Sequence, residues 1–133
     1  MVFIQISISQ KILIVKLEND LDHHVANEIK DEIDRQIMTS KTESIIFDFE
    51  KVKFMDSSGI GLISGRISVL DAQKESNNII KNKNISSSND IAIINLDKRL
   101  TTMMRISGLD KIVNFFDDLE SAMSALRKNK HSD

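Results

Sequence analysis

Short apolar runs alternate along this chain with longer stretches of helical periodicity, and that alternation constrains the fold more than any other feature. Residues 3–8 alternate apolar and polar side chains as a half-buried strand does, and residues 11–17 read as its hairpin partner across Ser9-Gln10. Beyond Glu18-Asn19-Asp20, Asp22 is placed to cap a helix in which Val25, Ile29, Ile33 and Ile37 fall four apart. Residues 45–49 form the next apolar strand. The helix predicted over 57–73 follows, with Ile60, Ile63, Ile67 and Leu70 at spacings of three and four. Residues 77–90, rich in Ser, Asn and Lys, read as an extended surface loop. Residues 91–95 suit a central strand, 97–106 a short helix closed by Gly108, and 112–116 a last strand. Asp117 and Glu120 have capping-box spacing before a helix carrying Leu119, Ala122, Met123 and Leu126. The order β-β-α-β-α-β-α-β-α implies an α/β domain whose sheet is parallel wherever a helix crosses over.

At 133 residues the chain is long enough for one domain, over 1–126, with a charged tail at 127–133. A net charge of −2 argues against nucleic acid, whose phosphates call for a basic stripe. No apolar run approaches the ~18 residues that span a bilayer, and the start has no secretory signal pattern. Without cysteine there is no disulfide or thiolate metal site, which fits a reducing cytoplasm.

The stretch Asp56-Ser57-Ser58-Gly59-Ile60-Gly61 sets two hydroxyls behind an acid where a strand gives way to a helix. A serine there can cap the helix, and Gly59 and Gly61 are expected to leave its first turn uncovered, open to another protein's surface. Asp56 is expected to form the turn and touch a partner. His23-His24 has no third ligand nearby, so no metal site is expected. Gly59-x-Gly61-x-x-x-Gly65 has the wrong last spacing for a dinucleotide fingerprint, and no phosphate-binding P-loop is present. A Ser58/His24/Asp56 hydrolase lacks the Gly-x-Ser-x-Gly elbow. Met103, Met104 and Met123 read as core, and Arg127, Lys128 and Lys130 as a solvated tail.

Three blocks in order, Asn19-Asp20-Leu21-Asp22-His23-His24, residues 54–61 from Phe54 to Gly61, and Ile106-Ser107-Gly108-Leu109, resemble the STAS domain of bacterial anti-sigma-factor antagonists. The resemblance implies a STAS fold: a central mixed, mostly parallel sheet of about five strands with about four helices. It also implies a non-enzymatic, cytoplasmic switch protein. Unphosphorylated, it would bind an anti-sigma factor that is also a serine kinase, and so free a sigma factor. Phosphorylation of Ser58 would release it, and a serine phosphatase would reset it. The chain itself would need no cofactor, ATP and Mg²⁺ being used by the kinase. Asp22, His23, Asp56, Ser57, Ser58, Gly59, Ile60, Gly61 and Arg66 would form the partner face. Two departures stand out: the loop over 77–90 is longer than usual, and Asn19-Asp20 replaces the Gly-Glu that commonly precedes Leu-Asp-His-His. The alternatives are a STAS ligand-binding or scaffold module without a phospho-switch, and an enzyme using Ser58 as nucleophile.

Overall fold

A computed structural model describes residues 4–76 and 87–131. Strands β1 (Ile4–Ser9) and β2 (Ile12–Leu17) form an antiparallel hairpin, and β3 (Ser44–Asp48), β4 (Ile91–Ile94) and β5 (Asn114–Phe116) add in parallel, giving the order β1-β2-β3-β4-β5. The hairpin turns on Gln10 and Lys11, both at positive φ (54° and 65°), although neither is glycine.

Side chains of the parallel strands alternate between two faces because the strand period is two. Leu13, Val15, Leu17, Ile45, Phe47, Ile91 and Ile93 form the larger core with helices α1 (His23–Ser40), α2 (Ser57–Ser76) and α3 (Lys98–Ile106). Ile12, Ile46, Ala92 and Ile94 face the other way, under Ala122 and Leu126 of α4 (Leu119–His131). Among the described residues the sheet is mixed, mostly parallel and five-stranded, with four helices: the residue pattern predicts the α/β alternation, and the STAS resemblance implies this sheet.

Helix α1 buries Val25, Ala26, Ile29, Ile33 and Ile37, and the Asp22 carboxylate caps it by accepting from the Val25 N–H at 2.9 Å. Met104 is fully buried, and Met103 and Met123 pack at the edges of the two cores.

Several boundaries differ from expectation. The last strand is shorter because Gly108, at φ 83°, turns the chain into a 3₁₀ turn over Leu109–Lys111 that occupies its expected approach. The fourth helix is capped by Asp118, whose Oδ1 accepts from the Ser121 N–H at 2.8 Å, and not by Asp117. That helix continues to His131 instead of fraying at Arg127, whose Nη1 donates to Gln10 Oε1 at 3.3 Å. Of the loop expected over 77–90, residues 77–86 lie outside the described residues, and Ser87–Asp90 form a 3₁₀ turn.

Candidate functional site

In parallel β–α units every helix starts at the carboxyl edge of the sheet, so the N-termini of α1 and α2 emerge side by side after β2 and β3. A short parallel bridge between Leu21 and Met55 locks the two approaches together. The Leu21 N–H donates to the Phe54 carbonyl at 3.0 Å, and the Asp56 N–H donates to the Leu21 carbonyl at 3.1 Å. Asp20 reinforces the join, its Oδ1 accepting from the Lys53 and Phe54 N–H groups at 2.8 and 3.2 Å. The carboxylate that departs from the usual Gly-Glu is thus part of the scaffold.

Asp56 is the centre of this corner. Its Oδ1 accepts from the Ser58 N–H at 2.8 Å, and its Oδ2 accepts from the His23 N–H at 3.1 Å. One carboxylate therefore satisfies orphan donors at the start of two helices, where the helix dipoles also favour negative charge. The cap expected from a serine is taken by Asp56, because α2 already includes Ser57 in its first turn. Both serine hydroxyls are spared from capping: Ser57 is exposed and Ser58 is half-buried.

Ser58 Oγ lies 3.3 Å from His23 Nδ1, and His23 Nε2 lies 3.3 Å from the Asn27 amide nitrogen. With the Asn27 amide nitrogen donating to Nε2, a neutral ring carries its proton on Nδ1, facing Ser58 Oγ. His23 in this tautomer is a donor to the serine hydroxyl, not a base for it. Beside this pair a cleft of about 220 Å³ opens between α1 and α2, lined by His23, Asn27, Lys30, Ser58, Gly61 and Leu62, with Ala26 at its floor.

The corner brings together Asp22, His23, Asp56, Ser57, Ser58 and Gly61, of which all but the half-buried Asp56 and Ser58 are exposed. Three expected members sit differently. Gly59 is buried: a Cβ there would overlap Met55 Cγ and Sδ and come within 3.3 Å of Leu21 Cβ. Its missing side chain serves an internal close approach and leaves nothing open to a partner. Ile60 is half-buried against the core. Arg66 is only 4% exposed and pairs with Asp34 of α1, Nε to Oδ1, at 2.8 Å. That contact lacks hydrogen-bond alignment, and Arg66 Nη1 has no partner among the described residues, so Arg66 is a buried ion pair and not part of the exposed face. Burial pulls its guanidinium below the ordinary value, and the charges of Asp34 and Asp31 oppose that pull.

Asn27, Lys30 and Phe54 were not singled out by sequence reasoning. Asn27 and Lys30 stand four and seven residues after His23, a polar stripe that helical spacing could have found. Phe54 is 56% exposed immediately before the Asp56 corner, an apolar side chain with no local signal to separate it from core. Among the described residues no cluster of side chains could hold a metal ion, and no helix is long and apolar enough to cross a membrane.

Fold and corner together define an α/β domain that gathers two helix N-termini around a serine at the carboxyl edge of its sheet. A family model, the STAS domain, matches residues 3–76, more than half of the chain, and the chain belongs to that family. An anti-sigma F factor antagonist from Paenibacillus polymyxa is 27% identical over 115 residues, covering 86% of this chain and 86% of the relative. The structure is similar to that of the anti-sigma factor antagonist SpoIIAA in its unphosphorylated form, with TM-score 0.64 and 22% identity over 97% of this chain and 99% of that one. It is similar as well to the phosphorylated form of the Bacillus cell fate determinant SpoIIAA, with TM-score 0.64 and 26% identity over 93% of this chain and 99% of that one. STAS anti-sigma antagonists form a regulatory family, not an enzyme family.

Proposed function

We propose that this protein is a cytoplasmic anti-sigma-factor antagonist switched by phosphorylation of Ser58. Unphosphorylated, it binds an anti-sigma factor that is also a serine kinase, and a sigma factor is released. The kinase then transfers the γ-phosphoryl group of ATP to Ser58 Oγ. ADP leaves, the hydroxyl proton passes to a base of the kinase, and the complex dissociates. A serine phosphatase restores the binding form.

The observation that carries this reading is the liberated Ser58 hydroxyl. Asp56 caps α2, so Ser58 Oγ has no capping duty and, among the described residues, meets His23 on a half-open surface. A likeness across most of the chain to a protein named as an anti-sigma F factor antagonist supports the same reading. The partner face comprises Asp22, His23, Asp56, Ser57, Ser58 and Gly61, with Phe54 as an apolar anchor. With neighbouring residues it can contribute the ~800 Å² per side of an ordinary interface. A phosphate adds about −1.5 to −2 charge at that surface. Helix N-termini tolerate such charge, so the modification should block docking without unfolding the domain.

The test is intact mass after incubation with ATP, Mg²⁺ and a candidate anti-sigma kinase, for wild type, Ser57→Ala and Ser58→Ala. One added phosphate, lost only in Ser58→Ala, is the expected result. A phosphate retained in Ser58→Ala would refute the assignment.

A further inference from the structure

We propose that the cleft between α1 and α2 is a phosphate-holding site for phospho-Ser58, with Lys30 as its cationic wall and His23 as its donor wall. The inference rests on the reading of Ser58 as phosphoacceptor and adds what becomes of the phosphate once it is attached.

Three features converge. Ser58 lines the cleft, so a phosphate on its Oγ is carried at the cleft wall. His23 Nδ1 stands 3.3 Å from Oγ, and with Asn27 donating to the opposite ring nitrogen its N–H can donate to a phosphate oxygen. Lys30 lines the cleft from α1, and its ammonium is half exposed and only loosely paired, 4.0 Å from Asp31. A dianion in the cleft offers Lys30 a stronger partner than that surface contact.

Opposing charges also face the site. Asp56 and Asp22 stand at the two helix starts, and their repulsion of the phosphate must be outweighed. Both Asp56 oxygens and Asp22 Oδ1 are committed to backbone N–H groups, so these carboxylates are held where they cap and cannot swing into the cleft. Lys30 and the positive ends of two helices remain as counter-charge, and the His23 ring N–H adds a neutral donor. Phosphorylation would then fill the cleft and convert the surface that a partner meets.

The prediction is read on the phosphate itself. Phosphoserine is placed at position 58 by genetic encoding, and its second ionisation is followed by ³¹P NMR against pH. Nearby cations favour the dianion. The folded wild-type protein should therefore titrate about 0.5 to 1 unit below the same protein in denaturing urea, whose value should be near 6. Lys30→Met and His23→Gln should each recover part of that difference, and Lys30→Arg should retain it. Amide spectra verify that each variant is folded. Identical titration in the folded and urea-unfolded states, or no change in either loss variant, would overturn the proposal. Because no kinase is used, that failure would leave the functional reading standing. Failure of the kinase assay would leave the cleft's affinity for phosphate untouched.

Discussion

Removing the Asp56 carboxylate tests the corner most directly, because one side chain joins two helices that begin 34 residues apart in sequence, at His23 and Ser57. Asp56→Ala deletes the acceptor for the Ser58 N–H and the acceptor for the His23 N–H. Loss of a helix N-cap costs about 1 kcal/mol, and the second charge-assisted bond, at a largely exposed helix start, adds about 1 kcal/mol more. An unfolding entropy of about 2.1 cal/mol/K per residue gives about 0.28 kcal/mol/K for 133 residues. The expected loss of about 2 kcal/mol therefore lowers Tm by about 7 °C. Asp56→Asn separates the two bonds. Its single oxygen can still cap Ser58, but its NH₂ would face the His23 N–H, donor against donor, so about half the loss, ~1 kcal/mol, should remain. Equilibrium urea denaturation at pH 7 measures both, with unchanged m as the check that the unfolded state is not altered. If Asp56→Ala costs less than about 0.5 kcal/mol, the size of an ordinary surface change, the shared-cap argument is wrong. It is equally wrong if Asn is as costly as Ala.

The two glycines of the motif should respond in opposite directions. Gly59→Ala drives a methyl into Met55, and an overpacking cost of about 1–3 kcal/mol should exceed the ~1 kcal/mol of helix propensity gained. Gly61→Ala enters open space and should be neutral or stabilising by up to ~1 kcal/mol, so equal urea midpoints for the two would contradict the packing. Phe54→Ala should weaken binding to an anti-sigma kinase by roughly tenfold or more, as loss of an aromatic anchor does, and leave Tm nearly unchanged. Surface plasmon resonance with the purified kinase decides this, and unaltered affinity would remove Phe54 from the interface. Asp118 sits below its ordinary carboxylate value, chiefly because it accepts from the Ser121 backbone and side chain. A carboxylate lowered in the folded state contributes stability above its unfolded pKa, near 3.9, and loses it as pH falls through the folded value. Asp118→Asn should therefore lower Tm at pH 7, with the gap to wild type closing below pH ~4. A gap that persists at pH 2 would show that the cap does not depend on charge.

Local patterns carried most of the fold. Strands β2, β3 and β4 are dense in β-branched residues, and Asp22 is followed by apolar residues every four positions, so strand and helix periods were readable within short windows. Local patterns failed where neighbours compete. Asp117 and Asp118 are both good caps by type, and in the folded chain the second one accepts from the Ser121 N–H. Helix α2 is apolar on more than one side, and its spacing pointed to Ile60, Ile63, Ile67 and Leu70. The buried stripe instead includes Leu62, Ile63, Arg66, Leu70 and Gln73, because the helix lies against both the sheet and α1. Asp34, opposite on α1, lets a guanidinium occupy that stripe.

The sequence by itself determined the α/β alternation, the two helix starts and the serine at the second of them, since these depend on residues within a turn or two of one another. Tertiary structure decided what the site is. Parallel pairing of β2 with β3 sets α1 beside α2, and the Leu21–Met55 bridge fixes their offset. From that come Asp56 shared between two helices, Ser58 facing His23, Lys30 in the adjoining cleft and Gly59 turned inward. Apart from the Ser58 cap and the approach of Gly59 to Met55, these contacts join residues more than 25 positions apart, and no local periodicity encodes them. The register of a folded sheet does.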